Sequence, residues 1–270
     1  MKTPEAARRP GFPLRLKPDT GMLSAGKNMA DGGGFTSPKS LNGDRNKLQK
    51  PPLTGLGQDS HAIRARMVDK LAAQGLADPQ VLAVMGLVER HRFVDTGLGN
   101  QAYEDTSLPI GLGQTISKPN VVARMLELLM RGQSGKLGRV LEIGTGCGYQ
   151  AALLGQLATE VYSIERLRGL HDKARENLRP FRLPNVHLLF GDGMLGYAKG
   201  APYAAIISAA GGESIPAAWV DQLAIGGRLV APTQLAGGAQ MLVVVDKTAQ
   251  GVRQTVLEAV HFVPLKSGTN

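Results

Sequence analysis

A glycine-rich turn follows an apolar β-type run at residues 139–143. It holds three glycines at alternate positions: Gly144, Gly146 and Gly148. Since glycine has no Cβ, the main chain of such a turn can approach a ligand closely at the carboxyl edge of an α/β sheet. A dinucleotide site would need a third glycine where Tyr149 stands. The spacing, with Glu142 before it, favours a ligand with an adenosine and a charged amino acid but no phosphates; a tight turn that needs small residues is the alternative.

Two further acidic residues follow predicted strands, where a ligand at the same edge would meet them. Glu165 ends the second strand, and ribose hydroxyls are its expected partners, although a carboxylate at a strand end also serves as a helix cap. Asp192 stands between Gly191 and Gly193 after the third strand. Its carboxylate can accept a hydrogen bond from an adenine amino group or build a turn.

The elements around these residues alternate between strands and helices, which predicts a doubly wound α/β fold with a mostly parallel, seven-stranded sheet. The predicted strands are 139–143, 161–165, 186–190, 203–208, 227–231, 240–245 and 257–263. The predicted helices between them are 149–157, 168–179 and 216–223. Because no helical pattern separates the last two strands, we expect an antiparallel pair that closes the sheet.

An N-terminal helical cap is predicted before the sheet. Apolar residues recur at helical spacing from Ile63 and again from Val81, and Asp78 with Pro79 signals the start of the second helix. A third amphipathic segment covers 120–130, after a connection, residues 108–119, that is too long for a simple turn.

Residues 1–60 are predicted to be a disordered basic extension. They hold seven of the 16 prolines and no hydrophobic periodicity, so they bury too little surface to offset their ordering entropy. They also carry ten Lys and Arg against five Asp and Glu, about half of the formal charge of +9. A nucleic-acid-binding arm is the alternative, but the charges are scattered, and we expect no nucleic-acid partner.

The motifs resemble those of a known family. The glycine turn, Glu165 and residues 191–193 look like the three adenosyl-binding motifs of class I S-adenosylmethionine-dependent methyltransferases, the class with the Rossmann-like sheet predicted above. Residues 108–119 (LPIGLGQTISKP), 142–150 (EIGTGCGYQ) and 262–265 (FVPL) resemble the signatures of the protein-L-isoaspartate O-methyltransferase family. The similarity covers about 61–265, so it predicts a methyltransferase domain there and leaves 266–270 as a short tail.

The resemblance implies a repair enzyme that transfers a methyl group from S-adenosylmethionine to the free carboxylate of L-isoaspartyl residues, and of D-aspartyl residues in part of the family. The ester then collapses to a succinimide without the enzyme and returns partly to normal aspartate. The implied cofactor-binding residues are Glu142, Gly144, Thr145, Gly146, Gly148, Glu165, Asp192 and Gly193. The implied substrate-binding residues are Thr115, Ile116, Ser117 and Val263. Two departures are Val122, where animal relatives have histidine, and Cys147, where serine is common.

The family's active-site serine falls on Ser117. The acceptor is itself a carboxylate, and since an α-carboxyl group has a pKa of about 3.5 it is ionised at neutral pH, so no general base is needed. Ser117 is then expected to donate a hydrogen bond that orients the carboxylate. The alternative is that Ser117 caps the helix that starts near Asn120.

Composition excludes several further kinds of site and classes of protein. The single cysteine, Cys147, excludes an internal disulfide and a multi-cysteine metal site, and we expect a cytoplasmic monomer without metal or membrane contact, acting on age-damaged proteins. An RNA or small-molecule methyltransferase and a non-catalytic binding protein remain as alternatives, because a fold does not fix the acceptor. Tyr149 disfavours a nicotinamide dehydrogenase.

Overall fold

The computed structural model describes residues 57–234 and 238–270. The predicted extension lies outside the described residues up to position 56, and helix α1 already begins at Gly57. The helices are α1 (Gly57–Ala73), α2 (Pro79–Leu87), α3 (Pro119–Met130), α4 (Tyr149–Leu157), α5 (Arg168–Leu178) and α6 (Ala217–Gln222). The start of α2 follows the sequence signal, since the Asp78 carboxylate accepts from the main-chain N–H groups of Gln80 and Val81.

A seven-stranded sheet forms the centre of the domain. Its strands are β3 (Leu137–Ile143), β4 (Ala158–Glu165), β5 (Val186–Phe190), β6 (Tyr203–Ser208), β7 (Leu223–Gln234), β8 (Gln240–Thr248) and β9 (Gly251–Ala259), and a separate hairpin is formed by β1 (Leu108–Gly111) and β2 (Gln114–Ile116). The order is β5-β4-β3-β6-β7-β8-β9. Neighbours from β5 to β7 are parallel, whereas β8 is antiparallel to both β7 and β9. The predicted sheet class and its antiparallel closure are confirmed.

Both faces of the central strands β3, β6 and β7 are buried, as expected for parallel strands covered by helices on each side. Val140, Ile207 and Val230 face one apolar cluster, which includes the buried residues of α1 to α4. Their sequence neighbours face a second cluster around Trp219 of α6. This alternation follows from the period of two along a strand, and it fixes the register that brings the strand ends together.

Two segments differ from the sequence prediction. The connection 108–119 contains the β1–β2 hairpin, whose tip holds Leu112 and Gly113 at positive φ. The last strand covers Gly251–Ala259 rather than 257–263, because the Gln240 side chain binds the main chain of Phe262 through both N–H and C=O and takes it out of the sheet. The polar residues of β9 hid the strand from a hydrophobicity pattern, since this edge strand is largely exposed.

None of the helices in the described part of the chain is both long and apolar enough to cross a bilayer.

Candidate active site

The glycine turn between β3 and α4 takes a conformation that only glycine adopts readily. Gly144, Gly146 and Gly148 have φ values of 87°, 57° and 92°. At Gly148 a Cβ would also lie 3.0 Å from the Leu178 side chain. The turn is fixed to the next strand, because the N–H groups of Gly144 and Thr145 donate to the Ile164 carbonyl at 2.9 and 3.1 Å. The main chain of this turn is therefore held in a conformation that leaves it open to close approach by a ligand, as the sequence predicted.

Glu165 lies at the end of β4, opposite this turn. Its Oε2 accepts from the Gly146 N–H and its Oε1 from the Leu167 N–H, both at 2.9 Å. Glu165 is only 4% exposed, and it borders the cavity in front of the turn. Both contacts are to N–H groups, so the remaining lone pairs of this carboxylate can accept from ligand hydroxyls.

The cavity has a volume of about 480 Å³, within the range of small-molecule sites. It lies at the carboxyl ends of β3, β4 and β6, where the chain order of the strands reverses, which is the usual ligand position in open α/β sheets. Main chain at Gly144 and Gly146, the Glu165 carboxylate and the apolar side chains of Ile164 and Leu170 all contribute to its wall.

Asp192 supports the wall of this cavity instead of lining it. Its Oδ1 accepts from the Met194 N–H at 2.9 Å and its Oδ2 from the Gly268 N–H at 2.7 Å. Gly193 does border the cavity, and a Cβ there would lie 2.6 Å from Ile143. The turn-building alternative describes the Asp192 carboxylate in this structure, and its contact with adenine stays a prediction.

The tail, residues 266–270, returns to the same edge of the sheet. The Asn270 N–H donates to the Arg166 carbonyl at 2.9 Å, and the Arg168 N–H donates to the Asn270 carbonyl at 2.8 Å. Lys266 and Asn270 therefore line the cavity, a role that nothing in their sequence indicated.

Glu142 lies beneath the glycine turn and is fully buried. The Ser163 hydroxyl donates to its carboxylate, and Thr145 Oγ1 lies 2.6 Å from the same hydroxyl. Burial raises the pKa of Glu142 to about 8, so the side chain is mainly protonated at neutral pH. Glu142 does not line the large cavity, so its predicted contact with the cofactor is not direct in this structure.

Ser117 follows the β1–β2 hairpin and lies at the junction of two spaces. One is a narrow pocket of about 40 Å³, which shares Ile110, Thr115, Gly144, Gly146 and Ala209 with the large cavity. The other is an open cleft of about 280 Å³ on the far side of Ser117. This cleft is lined by Ser107, Ser117, Lys118, Val121, Ala259, Val260, His261 and Phe262. Ser117 therefore connects the cavity with the cleft.

Ser117 does not cap helix α3. Lys118 occupies the N-cap position, and the first turn is satisfied by Asp105, whose Oδ1 accepts from the Asn120 N–H at 3.0 Å. Within the part of the chain that the structure describes, the Ser117 hydroxyl has no hydrogen-bond partner. It is therefore available to a ligand.

The other predicted substrate residues lie on both sides of the junction. Thr115 is exposed and lines both the cavity and the narrow pocket, while Ile116 is 5% exposed and packs in the core beside that pocket. Val263 lines the cavity, and its carbonyl accepts from the Gly211 N–H at 2.8 Å. Sequence reasoning missed Asp105 and Arg90, which hold the Ser117 segment from remote parts of the chain.

No group of His, Cys, Asp and Glu in the described residues is arranged to hold a metal ion.

A sheet of this order with a glycine turn and an acidic residue at the end of its second strand defines the class I S-adenosylmethionine-dependent methyltransferases. The family model of protein-L-isoaspartate(D-aspartate) O-methyltransferases matches residues 62–270. A protein-L-isoaspartate O-methyltransferase of Methylibium petroleiphilum is 62% identical over 219 residues, which cover 80% of this chain and 81% of the relative. One of Burkholderia mallei is 50% identical over 274 residues, which cover 97% and 84%.

Two solved structures have similar folds. A protein-L-isoaspartate O-methyltransferase matches with a TM-score of 0.69 and 26% identity over 76% of this chain and 66% of its own. A Plasmodium falciparum protein, crystallised with S-adenosyl-L-homocysteine, matches with a TM-score of 0.67 and 24% identity over 75% and 98%, which shows the fold alone.

The chain belongs to the protein-L-isoaspartate(D-aspartate) O-methyltransferase family. It is a protein repair methyltransferase, and S-adenosylmethionine is its cofactor. The described residues fit this cofactor, because the cavity offers glycine main chain, a carboxylate for hydroxyls and apolar walls. The buried Tyr149 stands where a pyrophosphate-binding turn would have glycine.

Proposed function

We propose that methyl transfer takes place at the junction marked by Ser117, with the carboxylate of an L-isoaspartyl residue as the acceptor. The observation that supports this is the position of Ser117, which borders both the pocket that joins the cofactor cavity and the open cleft. A cofactor that enters from one side and a peptide that enters from the other would meet at this residue.

The cofactor residues each have a defined part in this proposal. Glu165 accepts hydrogen bonds from the ribose hydroxyls, and the main chain at Gly144 and Gly146 lies against the amino-acid portion. Ile164 and Leu170 give adenine apolar contact. When bound, the cofactor supplies the methyl group, which is attached to a positively charged sulfonium sulfur. Transfer of the methyl group to the acceptor breaks the S–C bond and leaves the sulfur as a neutral thioether.

The acceptor needs orientation rather than activation. An isoaspartyl residue exposes its α-carboxyl group, which is ionised at neutral pH, so its oxygen can form the new O–C bond without losing a proton. The Ser117 hydroxyl donates to this carboxylate and fixes its direction, while the positive charge of Lys118, which borders the same cleft, favours an anion. The product is a methyl ester.

The cleft suits an extended peptide. Ala259 and Val260 lie at the end of the edge strand β9, whose main chain is open to contacts with a neighbouring segment. Main-chain recognition would give little selection between side chains, which agrees with a substrate class of many damaged proteins. The proposal includes D-aspartyl residues as weaker acceptors.

The test is transfer of labelled methyl from S-adenosylmethionine to synthetic peptides that differ only at one residue: L-isoaspartyl, D-aspartyl or normal L-aspartyl. We expect label in the first, less in the second and none in the third. Equal labelling of the first and third would contradict the assigned acceptor. A cofactor-binding protein that labels none of them would refute it as well.

A cytoplasmic monomer completes the proposal. The single cysteine, Cys147, is 3% exposed and sits in the glycine turn, which fits a protein that does not depend on disulfides. Light scattering after size-exclusion chromatography is expected to give a mass near 28.5 kDa. A mass of twice this value would contradict the monomer.

A further inference from the structure

Arg90 is a fully buried cation that the proposed reaction does not yet use. It begins the short 3-10 helix Arg90–Phe93 and has no exposed surface. Among the described residues no carboxylate pairs with it, and its Nη1 has no hydrogen-bond partner. Removing a charge from water without a counter-ion is costly, so a stable protein keeps one only where something offsets the cost.

Three contacts hold the Arg90 guanidinium in place. Its Nε donates to the Ala102 carbonyl at 2.8 Å, and its Nη2 donates to the Ser117 carbonyl at 2.7 Å. The carbon of the guanidinium lies 4.9 Å from the centre of the Tyr149 ring, in cation–π geometry. One side chain thus joins the helical cap, the Ser117 segment and the first turn of α4.

These contacts place a positive charge directly behind the junction. Ser117 and Tyr149 both line the narrow pocket, and Arg90 touches each of them from the protein side. Burial lowers the pKa of Arg90, but an arginine keeps its proton at every pH at which the enzyme works. In a site with little water, this charge attracts an anion much more strongly than a surface charge does.

We propose that Arg90 is a positioning residue for the acceptor: it fixes the main chain of Ser117 against α4 and provides the positive potential that retains the substrate carboxylate. The inference rests on the proposed function, because the anion is the isoaspartyl carboxylate. The carboxylate on one side of Ser117 and the guanidinium on the other offset part of each other's desolvation.

Arg64 provides a matched control within the same cap. It is also buried, at 8% exposure, donates from Nε to the Gly86 carbonyl and has an Nη1 without a hydrogen-bond partner. Its guanidinium lies 3.9 Å from Glu89, and none of its described contacts reaches Ser117 or α4. If Arg90→Met acted only through the loss of a buried arginine, Arg64→Met should therefore change peptide binding in the same way.

The experiment compares Arg90→Met, Arg90→Lys and Arg64→Met with the wild type. With S-adenosylhomocysteine bound, so that no turnover occurs, dissociation constants are measured for an isoaspartyl peptide and for its neutral isoasparaginyl analogue. Arg90→Met is expected to weaken binding of the acid by about tenfold or more, through lost Coulomb attraction, and to change binding of the amide little. Arg64→Met should lower the melting temperature but leave the acid-to-amide ratio unchanged.

Arg90→Lys separates charge from geometry. Lysine keeps the charge but not the fork that spans two carbonyls, so we expect the acid-to-amide ratio to stay within about threefold while kcat falls about tenfold. If Arg90→Met does not fold, Arg90→Lys alone tests the role of Arg90. A wild-type kcat in Arg90→Lys would then overturn that role. An Arg90→Met variant that loses acid and amide binding equally would show a purely structural role.

The activity of the wild type separates a failure of the proposed function from a failure of the role assigned to Arg90. If it does not methylate the isoaspartyl peptide, the proposed function fails and takes the role of Arg90 with it. If it does, and Arg90→Met behaves like Arg64→Met, only the role of Arg90 is refuted.

Discussion

The proposed cofactor half and the proposed acceptor half of the site are built in different ways. The cofactor cavity is formed by the ends of β3, β4 and β6 with the turns that follow them, and it is completed by the β1–β2 hairpin and residues 263–270. The geometry of the strand ends is set by glycines and by hydrogen bonds of main-chain N–H groups, such as that from Gly146 to the Glu165 carboxylate. The acceptor cleft is formed by segments far apart in the chain, the one around Ser117 and the one at 259–262. Contacts from Arg90 and Asp105 hold the first of these segments.

This difference predicts that the two halves can be damaged separately. A change in the cofactor half should weaken binding of S-adenosylmethionine, whereas a change in the acceptor half should lower turnover with the cofactor still bound. Substitutions that affect both quantities equally would show that the halves are one cooperative unit.

The largest effect is expected for Ser117→Ala. Loss of one positioned donor typically costs about 10²–10³ in kcat, while the dissociation constant of S-adenosylmethionine should stay within about twofold. Steady-state kinetics and isothermal calorimetry measure the two quantities. Ser134→Ala, at an exposed serine in the turn between α3 and β3, is the control and should retain wild-type kcat. Equal losses in turnover and cofactor affinity would indicate that Ser117 supports the loop instead of the substrate.

Glu142→Gln tests whether the buried carboxyl group beneath the glycine turn is neutral, through the pH dependence of the free energy of unfolding. The folded-state pKa of about 8 lies above the ordinary value of 4.5, so between these values folding binds a proton and wild-type stability falls as pH rises. Glutamine does not titrate. The variant should therefore gain stability over the wild type by ~1.4 kcal/mol per pH unit between pH 6 and 8, and the gain should level off above. Urea unfolding at several pH values measures it, and a pH-independent difference would contradict the buried neutral carboxyl.

Glu165→Gln should weaken the cofactor rather than turnover. The substitution replaces one carboxylate oxygen by a donor that faces main-chain N–H groups, so we expect the dissociation constant of S-adenosylmethionine to rise about tenfold. At saturating cofactor, kcat should change by less than about threefold. Glu176→Ala, exposed on α5, is the control. A fall in kcat without a change in cofactor binding would reverse the assignment of the two halves.

Deletion of residues 1–56 should have the smallest effect. The family model begins at residue 62 and the first helix at Gly57, so kcat/KM for the isoaspartyl peptide is expected to stay within about twofold. A large loss would show that the extension takes part in the acceptor half.

The comparison also explains what could be predicted from sequence. Helix Tyr149–Leu157 and strands Val186–Phe190 and Tyr203–Ser208 match their predicted bounds, because each has a continuous apolar pattern in the sequence. The sequence also predicted that the glycine turn and Glu165 lie at the same edge of the sheet, because the β3–α4–β4 unit fixes their spacing.

The acceptor half offered no such local signal. Arg90 and Asp105 are single polar residues in irregular segments, and only the folded chain shows that they reach Ser117 and Asn120. The resemblance located Ser117, but the contacts that hold it depend on distant packing. The buried position of Glu142 was missed because an acidic residue beside a glycine turn has the pattern of a ligand contact whether it faces the cavity or the core.

The path of the tail has a practical consequence for reporting on the enzyme. Gly268 and Asn270 are anchored beside the cofactor cavity, while Ser267, directly before Gly268, is exposed. The only cysteine, Cys147, is buried, so a fluorophore attached to Ser267→Cys would label one place. The fluorescence of such a dye would report cofactor binding without a peptide substrate or a radioactive label. For the same reason, a purification tag should be placed at the N-terminus.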